Sequence, residues 1–339
     1  MEYIDLPIED PYLSQDLTIY RDGFAFTSIC NPTRVLNAII LRSPGQADCQ
    51  APKVGFSTRT LDEHIALIRQ HQLKRALVIA EDLHFLRECP SLQMLEVIPA
   101  KTSTKDFDYS PLYDMPNLIA VNCCTQVGDP YAKRPQYTTL DYSRLPRLQD
   151  VCISGKGHCS LAALESLRSI QLIGSDEQDL SNILGSKQLD SIYLLQSKAH
   201  TLQGLEKTRS LRCASFQHCR GLHDIDALQS AADTLTCLQI SGCPKIQDFS
   251  VLNRLHSLEY LALFGSNALP NLDFIGNMPN LKTFLFSMEV LSGDLRPCLG
   301  LSYVYSERNR RYYNVKEQDL PKNRFYQGLD GIEPWRQHL

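Results

Sequence analysis

The feature that most constrains this chain is a short phrase, L-x-x-L-x-L with apolar variants, that returns at nearly constant spacing. It reads LRSIQLI from Leu167, LDSIYLL from Leu189, LRCASFQ from Leu211, LTCLQIS from Leu235, LEYLALF from Leu258 and LKTFLFS from Leu281, so the starting leucines are almost evenly placed along the chain. A period of roughly 20 to 50 residues marks a chain of stacked supersecondary units rather than one closed core. Upstream, LQDVCIS from Leu148, LIAVNCC from Leu118 and LQMLEVI from Leu92 fit the same frame at less regular intervals, the widest running from Leu118 to Leu148. LKRALVI from Leu73 is a degenerate first copy and LSYVYSE from Leu301 a last one.

A second phrase lies between the first. Asp108-Tyr-Ser-Pro-Leu112, Asp141-Tyr-Ser-Arg-Leu145 and Asp248-Phe-Ser-Val-Leu252 share D-aromatic-S-x-L, and Met-Pro-Asn-Leu occurs at 115–118 and again at 278–281. With side chains alternating along a strand, positions 1, 4 and 6 of each copy point into the coil while 3, 5 and 7 point outward. One turn cannot bury its leucines alone. Stacked turns bury them against each other as a parallel sheet, and the D-aromatic-S-x-L segment returns the chain on the outer side.

These interleaved phrases resemble the leucine-rich repeat family, in particular its 22-residue class, over residues 73–307. The resemblance implies an α/β solenoid: a horseshoe with a parallel concave sheet of about ten strands and a mostly irregular convex side. At about 4.8 Å per strand, ten turns give an inner surface on the order of 50 Å long. The family places Asn at position 9, where this chain has Ser175, Ser197, Cys219, Cys243 and Ser266.

Outside the repeats, residues 1–72 are expected to form an N-terminal cap and 308–339 a C-terminal cap, with Trp335 folded onto the last turn. The stretch from Leu17 to Ile29 reads as a hairpin turning at Asp22-Gly23. Thr60 and Glu63 read as a capping box for a helix over 61–71, with Leu61, Ile65 and Ile68 on one apolar face. The widest interval contains QVGDPYAKRPQYTT, 126–139, which reads as a loop leaving the body, either a tolerated insertion or an arm contacting a partner.

Charge narrows the partners. With 34 basic against 38 acidic residues the net charge is −4, which offers no general attraction to nucleic acid or to anionic membrane. The opening MEYIDLPIEDP is acidic and proline-broken, without an apolar signal core, which predicts a soluble cytoplasmic protein. The 12 cysteines include no CxxC pair, so they read as reduced structural thiols, with no metal site. Cys213 and Cys237 share position 3 on adjacent strands; copying of the repeat explains that, and a metal or crosslink is the alternative.

No GxxxxGK[ST], GxGxxG, HExxH or GxSxG occurs. In Gly155-Lys-Gly-His-Cys159 the Cys and His are adjacent, whereas catalytic pairs meet from distant parts of a chain. No catalytic residue and no cofactor are therefore expected. The outward strand positions of the C-terminal half collect aromatics, and Tyr193, Tyr260, Phe264, Tyr303 and Tyr305, with Glu307 and Arg308, form the expected partner-binding set. The expected function is non-enzymatic: a monomer binding another protein, a toxin or an enzyme domain, on its concave face. The chain also resembles bacterial cytosolic repeat proteins with the same D-[FY]-S-x-L phrases, and some proteins of that kind neutralise toxins as immunity proteins. A regulatory or scaffold subunit of an enzyme complex, or an enzyme built on the N-terminal segment 1–72, are the alternative readings.

Overall fold

The computed structural model describes residues 17–20, 36–42, 60–99, 106–127, 136–154 and 161–323. The chain divides at residue 167 into two compact units. The Asp22-Gly23 turn, the Gly155–Cys159 string and Trp335 lie outside the described residues.

The first unit begins with strands β1 (Leu17–Tyr20) and β2 (Leu36–Arg42), which pair antiparallel. Leu17–Tyr20 faces 36–39 in this pair, and the rest of the expected hairpin lies outside the described residues. LNAIILR offers the longer apolar strand, and its other edge is taken in parallel by β3 (Arg75–Ala80). Parallel neighbours need a crossover, and helix α1 (Leu61–His71) supplies it. Its start is the expected capping box: Thr60 Oγ1 accepts the Glu63 N–H at 3.3 Å, and Glu63 Oε2 accepts the Thr60 N–H at 2.6 Å. Ile65 and Ile68 are buried as expected, joined by Leu67, but Leu61 is exposed because it sits at the first helical position, ahead of the packed turn. Among the described residues no helix is long and apolar enough to cross a membrane.

Parallel pairing then continues through β4 (Met94–Pro99) and β5 (Ala120–Cys124). The chain next makes a short antiparallel ribbon, β6 (Gln126–Val127) with β7 (Gln136–Tyr137), before β8 (Asp150–Ser154) pairs in parallel with β5. The long 126–139 segment thus begins and ends in this ribbon.

The second unit holds β9 (Ser169–Ile173), β10 (Ser191–Leu195), β11 (Cys213–Gln217), β12 (Cys237–Ser241) and β13 (Tyr260–Phe264). A short β14 (Ala268–Leu269) precedes β15 (Thr283–Phe286), and β16 (Glu289–Val290) precedes β17 (Tyr303–Ser306). The long strands pair in parallel in chain order, with repeat position facing repeat position throughout, as in Ile192↔Ala214 and Leu238↔Leu261. Stacking identical positions makes rows. The inward row at position 4 is Ile170, Ile192, Ala214, Leu238, Leu261, Phe284 and Val304, all buried. At position 6 Leu172, Leu194, Phe216, Ile240, Leu263 and Phe286 are buried as well, and the Phe284 and Phe286 rings stack at 4.7 Å.

In both units short 3-10 helices, such as Ser110–Asp114, Tyr142–Arg144 and Ser250–Arg254, return the chain between strands. The D-aromatic-S phrase explains them. In each copy the Asp Oδ1 accepts the N–H of the Ser two positions on, at 2.8, 3.1 and 2.7 Å for Asp108, Asp141 and Asp248, while Tyr109, Tyr142 and Phe249 anchor the turn in the core. The N–H bonds from Ser110 and Ser250 hold the Asp108 and Asp248 carboxyls below the usual carboxylate range.

Each strand from β9 to β12 leaves the sheet through one repeated device. The position-8 residues Gly174, Gln196, His218 and Gly242 all take left-handed backbone, at φ +72, +54, +54 and +65. Their N–H groups donate to the carbonyl at position 7 of the next strand: Leu195, Gln217, Ser241 and Phe264, at 2.7–2.9 Å. At position 9, Ser175, Ser197, Cys219 and Cys243 are buried, and the two thiols donate to Leu194 O and Phe216 O at 3.6 Å. The next turn departs from the expected ladder. Ser266 is exposed, and Asn267 takes its place, its Nδ2 donating to Cys243 O, Pro244 O and Ile246 O at 3.3, 3.3 and 2.5 Å. Gly265, again at position 8, has φ +155 rather than near +70, and its N–H donates to Ser287 Oγ at 3.0 Å instead of to a backbone carbonyl.

Candidate protein-binding surface

Three outward rows cross the second unit. Position 3 carries Ser191, Cys213, Cys237, Tyr260, Thr283 and Tyr303; position 5 carries Gln171, Tyr193, Ser215, Gln239, Ala262, Leu285 and Tyr305; position 7 includes Gln217, Ser241 and Phe264. Facing outward does not make these residues accessible. Every residue named in the first row is buried, and Tyr193, Tyr260 and Tyr303 are only 5%, 5% and 8% exposed. Tyr260 packs in one apolar cluster with Cys213, Cys237 and Ala262, bordered by Phe264 and Leu285. Burial first, and then the neighbouring Cys237 and Cys213, push the Tyr260 hydroxyl well above the usual phenol range. Its ring fills the space that small residues leave beside it, so these tyrosines pack the inner face and offer little contact area.

What remains accessible lies toward the other rows. Tyr305 is 40% exposed, and Phe264 and Leu285 are half-buried, so the C-terminal end of the face presents an apolar patch. Glu307 is exposed and Arg308 half-buried at its rim. Beside the apolar cluster stands a polar one: Gln217 Nε2 donates to Ser215 Oγ at 3.2 Å and to Gln239 Oε1 at 3.1 Å, and Ser215 Oγ donates to Gln239 Oε1 at 3.3 Å. Gln239 was not among the expected residues; its signal was its place at position 5, between Ser215 and Ala262.

The segment after the last repeat shapes this end. The Val304 N–H donates to Pro321 O at 2.8 Å and the Asn323 N–H to Ser302 O at 3.1 Å, so residues 321–323 cover the outer edge of β17. Lys322 Nζ stands 5.8 Å from the Tyr303 ring centre and 5.9 Å from that of Tyr305. Tyr313, buried, accepts the Val290 N–H at 2.9 Å.

Cys89, Cys123, Cys152, Cys213, Cys219, Cys237, Cys243 and Cys298 are buried free thiols. Among the described residues no group of three His, Cys, Asp or Glu side chains is arranged to hold a metal ion. Cys213 and Cys237 face each other in register, inside the apolar cluster.

An internalin of Listeria monocytogenes is similar to this chain at 16% identity and a TM-score of 0.50, over 70% of this chain and 67% of that one. Internalin C2 of the same organism matches at 17% identity over 56% and 68% of the two chains, with a TM-score of 0.32. A leucine-rich repeat protein of Leptospira interrogans matches at 13% identity over 74% and 82%, also at 0.32. No protein-family model and no curated protein matches the sequence. At such identity the first of these likenesses speaks to fold alone.

Proposed function

We infer, taking the chain as a leucine-rich repeat protein in architecture, that it binds another protein through the C-terminal end of its concave face. The observation that carries this reading is the apolar patch of Phe264, Leu285 and Tyr305, which stays accessible where Tyr193, Tyr260 and Tyr303 are buried. Aromatic and aliphatic anchors of this kind dominate protein interfaces, and polar side chains at the rim fix orientation. Gln217 and Gln239 serve that second role, tied to the buried Ser215, with Glu307 and Arg308 at the opposite margin. Tyr260, packed against Phe264 and Leu285, borders the patch within the same face.

The test is affinity capture from the native host with the full chain and with a Tyr305→Ala/Leu285→Asp variant. The expected outcome is a partner retained by the first and lost by the second, with both variants melting as folded proteins. Capture of the same proteins by both would sink the reading. The narrower form, in which the partner is a toxin and binding neutralises it, is supported by the sequence resemblance. Its test is co-expression with a toxin encoded beside the gene, where protection must depend on Tyr305 and Leu285.

A further inference from the structure

At the ends of β10 and β11 the chain turns through Gln196 and His218, both left-handed. The neighbouring turns solve the same geometry with Gly174 and Gly242, so two adjacent turns accept a conformational cost that glycine avoids. What they gain is two side chains. Gln196 and His218 line a cavity of about 480 Å³ together with Gln178, Lys198, His200 and Arg220.

The surroundings are cut to admit these groups. A Cβ added to Gly221 would stand 2.8 Å from His200 Cδ2, and one added to Gly242 would stand 2.6 Å from His218 Nδ1. The His200 ring also packs at 5.9 Å from that of His223, whose N–H donates to His200 O at 3.0 Å. No acidic residue lines the cavity. Among the described residues of the second unit, the ion pairs all lie elsewhere and none involves Lys198 or Arg220.

We propose that this cavity is a binding site for an acidic peptide segment of a protein partner. Its cationic groups come from two successive turns and are spread over a space much larger than one carboxylate, which suits a run of Asp or Glu side chains. Gln178 and Gln196 each offer both a donor and an acceptor, the pair of functions a peptide backbone requires. The cavity lies directly beyond Leu195 and Gln217, the last residues of β10 and β11, at the carboxyl ends of parallel strands. The inference rests on the protein-binding reading and names the charge of the segment that would follow the partner off the concave face.

The test uses the full chain and a fluorescein-labelled hexaglutamate peptide, with anisotropy read at low ionic strength. Saturable binding is expected, weakening with added salt and falling at least about tenfold in Lys198→Ala/Arg220→Ala, since charged hydrogen-bond partners are lost. His218→Gly should weaken binding while raising the melting temperature, a combination that a purely structural histidine would not give. Absence of saturable binding, or binding untouched by the double variant, overturns the proposal. So does a cavity that takes tripolyphosphate but not hexaglutamate, which would make it a phosphate site. The Tyr305→Ala/Leu285→Asp variant keeps the cavity intact. Cavity-dependent hexaglutamate binding by that variant, with capture lost, supports both readings, whereas capture that depends on Tyr305 without any peptide binding removes the cavity assignment alone.

Discussion

The two units build the same parallel ladder and leave it differently. In the second, position 8 turns left-handed four times running, and the copies that begin at Leu167, Leu189, Leu211, Leu235 and Leu258 keep an almost even interval. In the first, Thr125 occupies position 8 and still donates its N–H to the next strand, to Ser154 O at 2.9 Å. It does so without positive φ, and the chain runs on into β6 and back through β7. The copy that begins at Leu118 is therefore followed only at Leu148, the widest interval in the chain. The shared hydrogen bond holds neighbouring strands together, while the left-handed residue turns the chain at once into the return segment and keeps the turn short.

The comparison can be broken most severely where glycine is required by both angle and space. Gly204, at φ +105, would bring a Cβ to 2.5 Å from Leu180 C, so Gly204→Ala should cost about 3 kcal/mol or more in urea unfolding. A core variant of similar size is Leu261→Ala, expected to cost about 2–5 kcal/mol, because position 4 is fully enclosed by neighbouring turns. Neither substitution should change the unfolding of the first unit if the two units melt separately.

The left-handed row gives the next effects. Gly242→Ala should cost about 1–2 kcal/mol, from backbone angle and from contact with His218. His218→Gly should gain up to about 1 kcal/mol, and Thr125→Gly in the first unit should lose about that amount, since its backbone already suits a side chain. Gly276, with open space around its Cβ position, should accept Ala with little change. Opposite signs for His218 and Thr125 at the same repeat position are the sharpest check on the contrast between the units.

Thiols probe both units under one condition. Burial pushes Cys89, in the first unit, up to about 11 from an ordinary 9.0, and Cys298, in the second, up to about 12. A raised thiol keeps its proton longer in the folded state, so its contribution is complete below pH 9 and is lost as pH rises toward 11 and 12. The melting temperature should fall over that window, and alkylation at pH 8 should be slow until urea opens the unit that holds each thiol. The smallest effects belong to the 3-10 caps. Asp108→Ala and Asp248→Ala each remove one exposed turn-forming acceptor and should lower the melting temperature slightly. Because both carboxyls are held low in the folded state, that contribution disappears as pH falls through the acid range.

Much of this was legible in the order of residues. Position 1, 4 and 6 leucines and their substitutes, the helix beginning at Thr60 and the turns at Asp108, Asp141 and Asp248 follow from periodicity and from hydrogen bonds between near neighbours in the chain. Those are local properties, and local geometry obeys local chemistry. The paths of Gln196 and His218 were not legible, because neither residue type signals a left-handed turn; the demand comes from the next strand's carbonyl. The shift from Ser266 to Asn267 was hidden for the same reason, since a ladder is read between turns and not along one.

The sequence by itself therefore determined the repeat, the identity of the inward rows and the existence of an outward face. Only the tertiary structure decided which outward residues are available. Tyr193, Tyr260 and Tyr303 carry the same chemistry as Tyr305, yet their surroundings enclose the first three and leave the last 40% exposed. The physical reason is that a strand's alternation fixes the direction of a side chain, whereas burial depends on the volumes of residues that are distant in sequence and adjacent only once the turns are stacked.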